Sequence, residues 1–277
     1  MKKNKQKILV TGGSGFIGSA ITNYLVDEGH LVTVFDNNSR GKIRRISKNI
    51  KKIKFVKGDI RDYKKLKSIK SNFDTVIHLA YVNGTKFFYK KPLEILDIAT
   101  NGMLNILKFS KEKKVKNFYL ASSSEVYQNP IRFPTDEREM LKIPNIHNPR
   151  YSYGGGKIFS ELYGIHFAKK YFKKFIIFRP HNVYGKDMGN DHVIPEFINR
   201  FKNIGSKKKF LIYGTGNEIR SFIYIDDFVS GFDKLFRKGK NQEIYNIGTS
   251  EKVKISQLAK SIAIILKKQI TFSRTKL

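Results

Sequence analysis

A glycine-rich turn close to the N-terminus constrains the fold of this chain more than any other feature. The apolar run Ile8-Leu9-Val10 is followed at once by Thr11-Gly12-Gly13-Ser14-Gly15-Phe16-Ile17-Gly18, and helical spacing of apolar residues begins at Phe16. Glycines at positions 12, 15 and 18 permit a tight turn, let backbone N–H groups approach a phosphate and let the helix pack closely on the sheet. Between a strand and a helix, this spacing is the pattern of a dinucleotide-binding βαβ unit.

Short apolar runs alternate with longer segments of helical periodicity along the first 180 residues. This alternation predicts an α/β fold, a Rossmann-type doubly wound parallel sheet with helices on both faces. The predicted strands are Lys7–Val10, Leu31–Phe35, Ile53–Val56, Thr75–Leu79, Phe118–Ala121 and Phe175–Phe178. The predicted helices are Phe16–Glu28, Pro92–Lys111 and Tyr151–Tyr171.

After Arg179 this regularity breaks, and the elements become shorter. We expect a helix near 193–203 and a strand near 210–213, whereas 223–237 and 243–246 look like a helix and a strand that return to the main body. The predicted division is a dinucleotide-binding domain of residues 1–180, to which residues 221–248 return, and a smaller, mainly substrate-binding C-terminal lobe of residues 181–277.

Acidic residues follow the second and third predicted strands. Asp36, with Asn37 behind it, ends the second strand at about the twenty-residue distance from the glycines that a ribose-binding carboxylate needs. The Asp36 carboxylate can accept hydrogen bonds from the adenosine ribose and would repel a 2′-phosphate, so the predicted cofactor is NAD and not NADP. Asp59 and Ile60 are placed to cover the adenine.

A phenol and an amine lie four residues apart at Tyr153 and Lys157, which places them on one face of the third predicted helix. The segment from Ser122 to Glu125 directly follows the strand that ends at Ala121. Open α/β sheets hold their ligands at this carboxyl edge of the strands. We therefore expect the two segments to meet over the nicotinamide.

Five motifs in a fixed order carry a resemblance to a known family. They are the glycine turn Thr11–Gly18, Ser123 three residues ahead of Val126-Tyr127, the pair Tyr153 and Lys157, the segment Arg179–Gly185, and the Arg-x-Phe segment Arg220–Asp226. Together they resemble the extended short-chain dehydrogenase/reductase family, specifically its nucleotide-sugar epimerases, dehydratases and decarboxylases. The resemblance runs from the first strand to nearly the last residue.

The resemblance implies roles for individual residues. Tyr153 would be the general base or acid at a sugar hydroxyl, Lys157 would lower the phenol's pKa and hold the nicotinamide ribose, and Ser123 would bind the reacting oxygen. The expected cofactor-binding residues are Gly12, Gly15, Phe16, Ile17, Gly18, Asp36, Asn37, Asp59, Ile60, Leu79, Ala80, Lys157 and Pro180. The expected substrate-binding residues are Asn182 and Arg220 at the diphosphate, Leu211, Ile212 and Tyr213 near the nucleotide base, and Val193.

Glu125 bears on which reaction follows. In this family 4-epimerases often have a small or neutral residue there, whereas decarboxylases and several dehydratases carry glutamate; a loop-capping role is the alternative. Ser124 stands where many 4,6-dehydratases have aspartate. We predict a 4-epimerase that passes through a keto-sugar, with a decarboxylase of the UDP-glucuronate type or a 4,6-dehydratase as alternatives.

Several positions depart from the family pattern. Tyr81 replaces a usual alanine, Gln128 replaces a usual glycine, and Ala99-Thr100-Asn101-Gly102-Met103 stands where Asn-x-x-Gly-Thr is usual. The chain ends at Leu277, at or just after a predicted strand over 269–272, whereas family members commonly continue further. We therefore expect a C-terminally truncated member, for which an inactive pseudoenzyme is a further alternative.

The basic charge of the chain suggests a different class of protein. The formal net charge is +31, from 54 lysines and arginines against 23 acidic residues, and such a field attracts polyanions. The lysines are spread along the whole chain, and no recognisable nucleic-acid-binding module accompanies them. A nucleic-acid-binding protein on a retained dinucleotide fold is therefore the different-class alternative, and no specific nucleic-acid partner is predicted.

Composition also excludes some kinds of site. The chain has no cysteine, which excludes thiolate metal ligands and a cysteine nucleophile, and the six histidines show no metal-binding spacing, so no metal is predicted. No apolar window reaches the length of a membrane span, and residues 1–7 lack the pattern of a secretory signal. We expect a cytoplasmic homodimer with no membrane partner.

Overall fold

Seven parallel strands form the central sheet of the computed structural model, which describes residues 5–205, 209–269 and 271–274. In chain order they are β1 (Lys7–Thr11), β2 (Leu31–Asp36), β3 (Ile53–Lys57), β4 (Thr75–His78), β5 (Asn117–Ala121), β6 (Lys174–Pro180) and β11 (Ile244–Ile247). Their order across the sheet is β3-β2-β1-β4-β5-β6-β11. This confirms the predicted Rossmann-type sheet, and each of the six predicted strands is present within two residues of its expected ends.

The strand order reverses at β1, which pairs with β2 on one side and with β4 on the other. A crevice therefore opens beyond the carboxyl ends of β1 and β4, the position at which open α/β sheets bind ligands. The strands are near-continuous apolar runs because helices cover both faces of a parallel sheet. Ile8, Leu9 and Val10 are accordingly fully buried.

Helices cover the two faces of the sheet. They are α1 (Phe16–Asp27), α2 (Tyr63–Lys67), α3 (Thr85–Lys90), α4 (Pro92–Asp97), α5 (Met103–Glu112), α6 (Ser152–Tyr171), α7 (Val193–Lys202), α8 (Ile225–Lys238) and α9 (Ile255–Ile265). α1 and α8 pack on one face, and α2 to α6 pack on the other. Within the described residues, none of these helices combines the length and the apolar character needed to cross a bilayer.

The predicted helix 92–111 is continuous but not uniform. A π-helical turn at Ile98–Gly102 joins α4 to α5. The Thr100 hydroxyl donates to the Leu96 carbonyl oxygen at 2.9 Å, and a Cβ on Gly102 would lie 2.7 Å from a methyl carbon of Ile60. Side-chain competition for backbone carbonyls and a close neighbour are both common where a helix widens locally.

The smaller elements form a lobe with a core of its own. Its strands are β7 (Asn182–Tyr184), β8 (Lys209–Ile212), β9 (Ile219–Arg220), β10 (Phe222–Tyr224), β12 (Val253–Lys254) and β13 (Thr271–Arg274). Phenylalanines of α7 and β8 pack there against α9. Between β10 and β12 the chain returns to the main body through α8 and β11, and β11 pairs with β6 in the central sheet. The strand predicted over 269–272 is β13, whose neighbour Ile270 lies outside the described residues.

Candidate active site

A cleft of about 900 Å³ lies beyond the carboxyl ends of the central strands and reaches into the lobe. One end is lined by the glycine turn after β1, and the middle by Ser123, Tyr153 and Lys157. The far end is lined by Tyr213 and Arg220. Residues that are distant in the chain therefore share one cavity at the topological switch point of the sheet.

The glycine turn forms a cradle that side chains would fill. Gly12 adopts a φ of +72°, and a Cβ there would lie 2.7 Å from the Ala80 backbone nitrogen. A Cβ on Gly18 would overlap the Gly12 carbonyl oxygen. Gly15 is the N-cap of α1 and provides no side-chain cap, so the first N–H groups of a twelve-residue helix face the cleft without a side-chain acceptor. This arrangement fits the pyrophosphate of a dinucleotide.

The Asp36 carboxylate lies at the end of β2, where an adenosine ribose would bind. It accepts hydrogen bonds from the backbone N–H groups of Ser14 at 3.0 Å and of Asn38 at 2.8 Å, which hold it against the glycine turn. Each carboxylate oxygen keeps capacity for a further donor. The position and charge of Asp36 therefore fit the ribose hydroxyls of NAD.

Asp59 lines the same end of the cleft, and neighbouring side chains hold its carboxylate in place. Arg61 donates to both oxygens at 2.9 Å, and Asn37 donates to one of them at 2.9 Å. The Arg61 hydrogen bonds lower the pKa of Asp59 to about 2. The carboxylate is therefore a fixed acceptor at the edge of the predicted adenine site.

Ser123 and Tyr153 meet in the middle of the cleft. The Ser123 hydroxyl accepts a hydrogen bond from the Glu125 backbone N–H at 3.2 Å and faces the Tyr153 phenol closely enough to lower its pKa. Burial raises the pKa of Tyr153; the neighbouring Ser123 hydroxyl opposes this rise, the Glu125 charge adds to it and the Arg40 charge opposes it. The pair can bind and polarise one substrate oxygen.

Lys157 lies one helical turn beyond Tyr153 and is almost fully buried. Its ammonium donates to the Ala121 carbonyl oxygen at 2.7 Å and lies 5.9 Å from the centroid of the Tyr153 ring. Burial lowers the pKa of Lys157 to about 7, and the Glu161 charge opposes this shift. The cation that lowers the Tyr153 pKa in this structure is Arg40, so the pKa-lowering role expected of Lys157 stays a prediction.

Glu125 lies near Tyr153, whose pKa its charge raises, and it faces Arg150. The Glu125 carboxylate and the Arg150 guanidinium are 3.7 Å apart, and both line the cleft. Each side chain is about one-third exposed, so both can reach a bound substrate. The site thus holds a carboxylate whose charge acts on Tyr153 and a cation paired with that carboxylate.

Two arginines of the cleft, Arg40 and Arg150, are absent from the site residues predicted from the sequence. Arg40 Nη2 pairs with Asp191 at 3.4 Å, its guanidinium stacks on Phe87 at 4.8 Å, and its Nη1 has no hydrogen-bond partner within the described residues. Arg40 follows Asp36 by four residues and Arg150 precedes Tyr153 by three. Their closeness to motif residues is the signal in the sequence that could have found them.

The structure brings almost all of the predicted site residues to this cleft. The exceptions are Leu211 and Ile212, which lie outside the cleft lining. Side chains alternate along β8, so Ile212 points into the lobe core with Phe210, and the Leu211 carbonyl oxygen accepts a hydrogen bond from Arg200. The prediction that Ile212 lies near the nucleotide base is therefore corrected. The Leu211 side chain points to the opposite side of β8 from Phe210 and Ile212, so its expected place near the base stays a prediction. Tyr213 is the residue of that segment in the cleft.

The described residues contain no group of three or more histidine and carboxylate side chains arranged for a metal.

Gln128, where a glycine is usual, adopts a φ of +55°, a left-handed conformation that glycine adopts most easily. Its side-chain amide donates to the Glu125 carbonyl oxygen, which compensates locally for the strained backbone.

Comparison with known proteins identifies relatives of three reaction types. The dTDP-D-glucose 4,6-dehydratase of Dictyostelium discoideum is 34% identical over 93% of this chain, which spans 61% of the dehydratase's length. The UDP-N-acetyl-alpha-D-glucosaminuronate decarboxylase of Bacillus cytotoxicus is 31% identical over 99% of this chain and 83% of its own. The solved UDP-glucose 4-epimerase of Thermotoga maritima, bound to UDP-glucose, matches 98% of this chain and 85% of its own with a TM-score of 0.85 and 30% identity.

A sequence model of the NAD dependent epimerase/dehydratase family matches residues 8–248. This range includes the glycine turn, Ser123, Tyr153 and Lys157, and the strand β11 that returns to the sheet. The match confirms the resemblance to the extended short-chain dehydrogenases/reductases and agrees with the predicted NAD cofactor. The chain therefore belongs to the NAD-dependent epimerase/dehydratase family, whose curated members that resemble it are nucleotide-sugar dehydratases, decarboxylases and epimerases.

Proposed function

We propose that this chain oxidises a hydroxyl of a nucleotide-diphosphate sugar to a transient ketone and reduces the ketone from the opposite face, as a 4-epimerase does. The observation that carries the proposal is the juxtaposition of the Ser123 hydroxyl and the Tyr153 phenol in the same cleft as the glycine cradle. One cavity can therefore hold a dinucleotide and present a sugar hydroxyl to a proton acceptor.

Tyr153 is the proposed proton carrier. Burial favours its protonated form, whereas the Ser123 hydroxyl and the Arg40 charge favour the phenolate that can accept the sugar's proton. NAD bound in the cradle supplies the hydride acceptor. Tyr153 holds the proton at its phenolic oxygen until the ketone is reduced, and Ser123 keeps the reacting oxygen in place.

The lobe is proposed to bind the rest of the substrate. Asn182, Val193, Tyr213 and Arg220 line the far end of the cleft, and Arg220 is a cation suited to a diphosphate. This arrangement supports the division into a dinucleotide-binding domain of residues 1–180 and a mainly substrate-binding lobe. A homodimeric assembly and a cytoplasmic location stay predictions.

Decarboxylation of a nucleotide-uronate is a second candidate, and Arg150 favours it. An arginine in the cleft can bind a substrate carboxylate through two parallel hydrogen bonds, and Arg150 lines the cleft 3.7 Å from Glu125. Once the C4 hydroxyl has become a ketone, a carboxylate on C5 is positioned to leave as carbon dioxide. A 4,6-dehydratase has less support because Ser124 replaces the usual aspartate.

The test is product mass on a panel of UDP-, dTDP-, GDP- and CDP-sugars that includes uronates. An unchanged mass with a new retention time supports epimerisation, whereas loss of carbon dioxide or of water identifies the alternatives. The matched variants are Tyr153→Phe, expected to abolish turnover, and Tyr151→Phe, which changes a neighbouring tyrosine outside the cleft lining. NAD binding without turnover on any sugar would contradict the proposal, as would equal turnover by the two variants. Salt-sensitive RNA binding without NAD binding would favour the nucleic-acid alternative.

A further inference from the structure

Tyr81 occupies a position where a small residue is usual, and the structure makes room for it at one glycine. Tyr81 follows the carboxyl end of β4 and lines the cleft. A Cβ on Gly156 would overlap the Tyr81 hydroxyl oxygen and lie 2.7 Å from the Ala99 Cβ. Gly156 lies inside α6, where glycine is a poor helix former. The two unusual residues are therefore complementary in space.

The ring of Tyr81 contacts both Tyr153 and Lys157. The Lys157 ammonium lies over the ring face, 3.9 Å from its centroid. The Tyr153 ring meets the Tyr81 ring edge to face, with centroids 5.2 Å apart and planes at 88°. The Tyr81 hydroxyl is buried and has no hydrogen-bond partner within the described part of the chain. Tyr81 therefore contacts Lys157 and Tyr153 through its ring and not through its hydroxyl.

We propose that Tyr81 is a positioning residue that holds the Lys157 ammonium over its ring and sets the orientation of Tyr153, with Gly156 providing the space it needs. The inference rests on the proposed catalytic use of Tyr153 and Lys157. The ammonium has lost most of its hydration, and the Ala121 carbonyl oxygen satisfies one of its three donors. The electron-rich face of the ring stabilises the positive charge from another side, an effect that grows when water is excluded.

The proposal separates the ring from the hydroxyl. Tyr81→Phe keeps the ring and removes an unpartnered polar atom, so Lys157 should keep its protonation behaviour. Tyr81→Leu keeps an apolar side chain but removes the aromatic face. A fluorinated phenylalanine at position 81 keeps the ring's shape while weakening its attraction for cations. This last variant tests the charge interaction even if Tyr81→Leu fails to fold.

The experiment measures the protonation of Lys157 directly on the full-length protein. Trace labelling with acetic anhydride over a pH series, read by peptide mass spectrometry, gives the midpoint at which the Lys157 amine becomes reactive. No nucleotide-sugar is present, so the result does not depend on turnover. The matched control is Tyr63→Leu, because Lys108 lies over the Tyr63 ring at 4.5 Å and Tyr63 is outside the cleft lining.

We expect Tyr81→Leu and the fluorinated variant to move the Lys157 midpoint to lower pH by about half a unit to one unit. Tyr81→Phe and Tyr63→Leu should leave it in place. An unchanged or raised midpoint in the fluorinated variant would overturn the proposal, and so would a Tyr81→Phe shift as large as that of Tyr81→Leu. If these midpoints behave as expected while no sugar is converted, the positioning inference stands and the proposed function fails.

Discussion

Replacing Glu161 with glutamine is expected to unpair a buried guanidinium that joins α6 to the central sheet. Arg179 is 1% exposed and Glu161 2%, and Arg179 donates to both carboxylate oxygens, at 2.9 Å and 2.6 Å. Removal of one partner from a buried pair typically costs about 3–5 kcal/mol because the remaining charge is uncompensated. The free energy of unfolding of a domain is only about 5–15 kcal/mol.

The loss should also disorder the segment beside the active site. Arg179 Nη1 donates to the Tyr127 hydroxyl at 2.6 Å and to the Glu137 carbonyl oxygen at 3.1 Å, and Tyr127 in turn donates to Asn246 at 2.9 Å. These bonds tie the chain that follows Glu125 to β6 and β11. A guanidinium without its carboxylate can no longer hold this network in one geometry.

Denaturant and thermal unfolding followed by circular dichroism would measure the effect. At about 2–4 °C per kcal/mol, Glu161→Gln should lower Tm by roughly 6–20 °C. The control is Glu94→Gln, since Glu94 pairs with Lys91 at 3.0 Å on the surface and such pairs contribute about 1 kcal/mol or less. The double variant Glu161→Leu with Arg179→Met removes both charges and should recover part of the loss. The reasoning would be refuted if Glu161→Gln lowered Tm no more than the control does. It would also be refuted if the double variant lost as much stability as the two single substitutions together.

Three further predictions follow from the site and the surface. Gly18→Ala should abolish NAD binding measured by calorimetry, because its Cβ would overlap the Gly12 carbonyl oxygen; NAD affinity within twofold of the unchanged protein would contradict the cradle. Burial lowers the pKa of Lys157 to about 7, so between this pH and the ordinary lysine range the unfolded chain binds more protons than the folded one, and the free energy of unfolding should rise with pH. Lys157→Met should remove that rise, measured by urea unfolding at several pH values. The same dependence of unfolding free energy on pH in both proteins would argue against a buried amine. Leu93 is 80% exposed and Leu162 59%, and the helices that carry them, α4 and α6, contact each other. If this apolar surface mediates the predicted homodimer, Leu162→Lys should yield monomers in analytical ultracentrifugation, and an unchanged dimer would place the interface elsewhere.

Features formed by residues close together in the chain could be predicted from the sequence, whereas features formed by contacts between distant residues could not. The glycine turn and the spacing of Tyr153 and Lys157 involve residues within one turn or helix, so the patterns alone located them. Strand β8 shows the limit: its presence was predicted, but the side-chain directions of Leu211 and Ile212 depend on which face meets α7 and α9. One residue of register reverses the face.

The sequence by itself determined the doubly wound fold, the glycine turn and the placement of Tyr153 and Lys157 on one helical face, because periodicity, turn chemistry and residue spacing express them directly. Only the tertiary structure decided what surrounds that pair. Arg40 and Tyr81 come from loops that are distant from Tyr153 in the chain, and Arg150 comes from the 3₁₀ turn Pro149–Tyr151 just before it. Their meeting depends on the parallel strand order that brings the carboxyl ends of β2, β4 and β5 to one edge of the sheet, where burial strengthens each electrostatic contact.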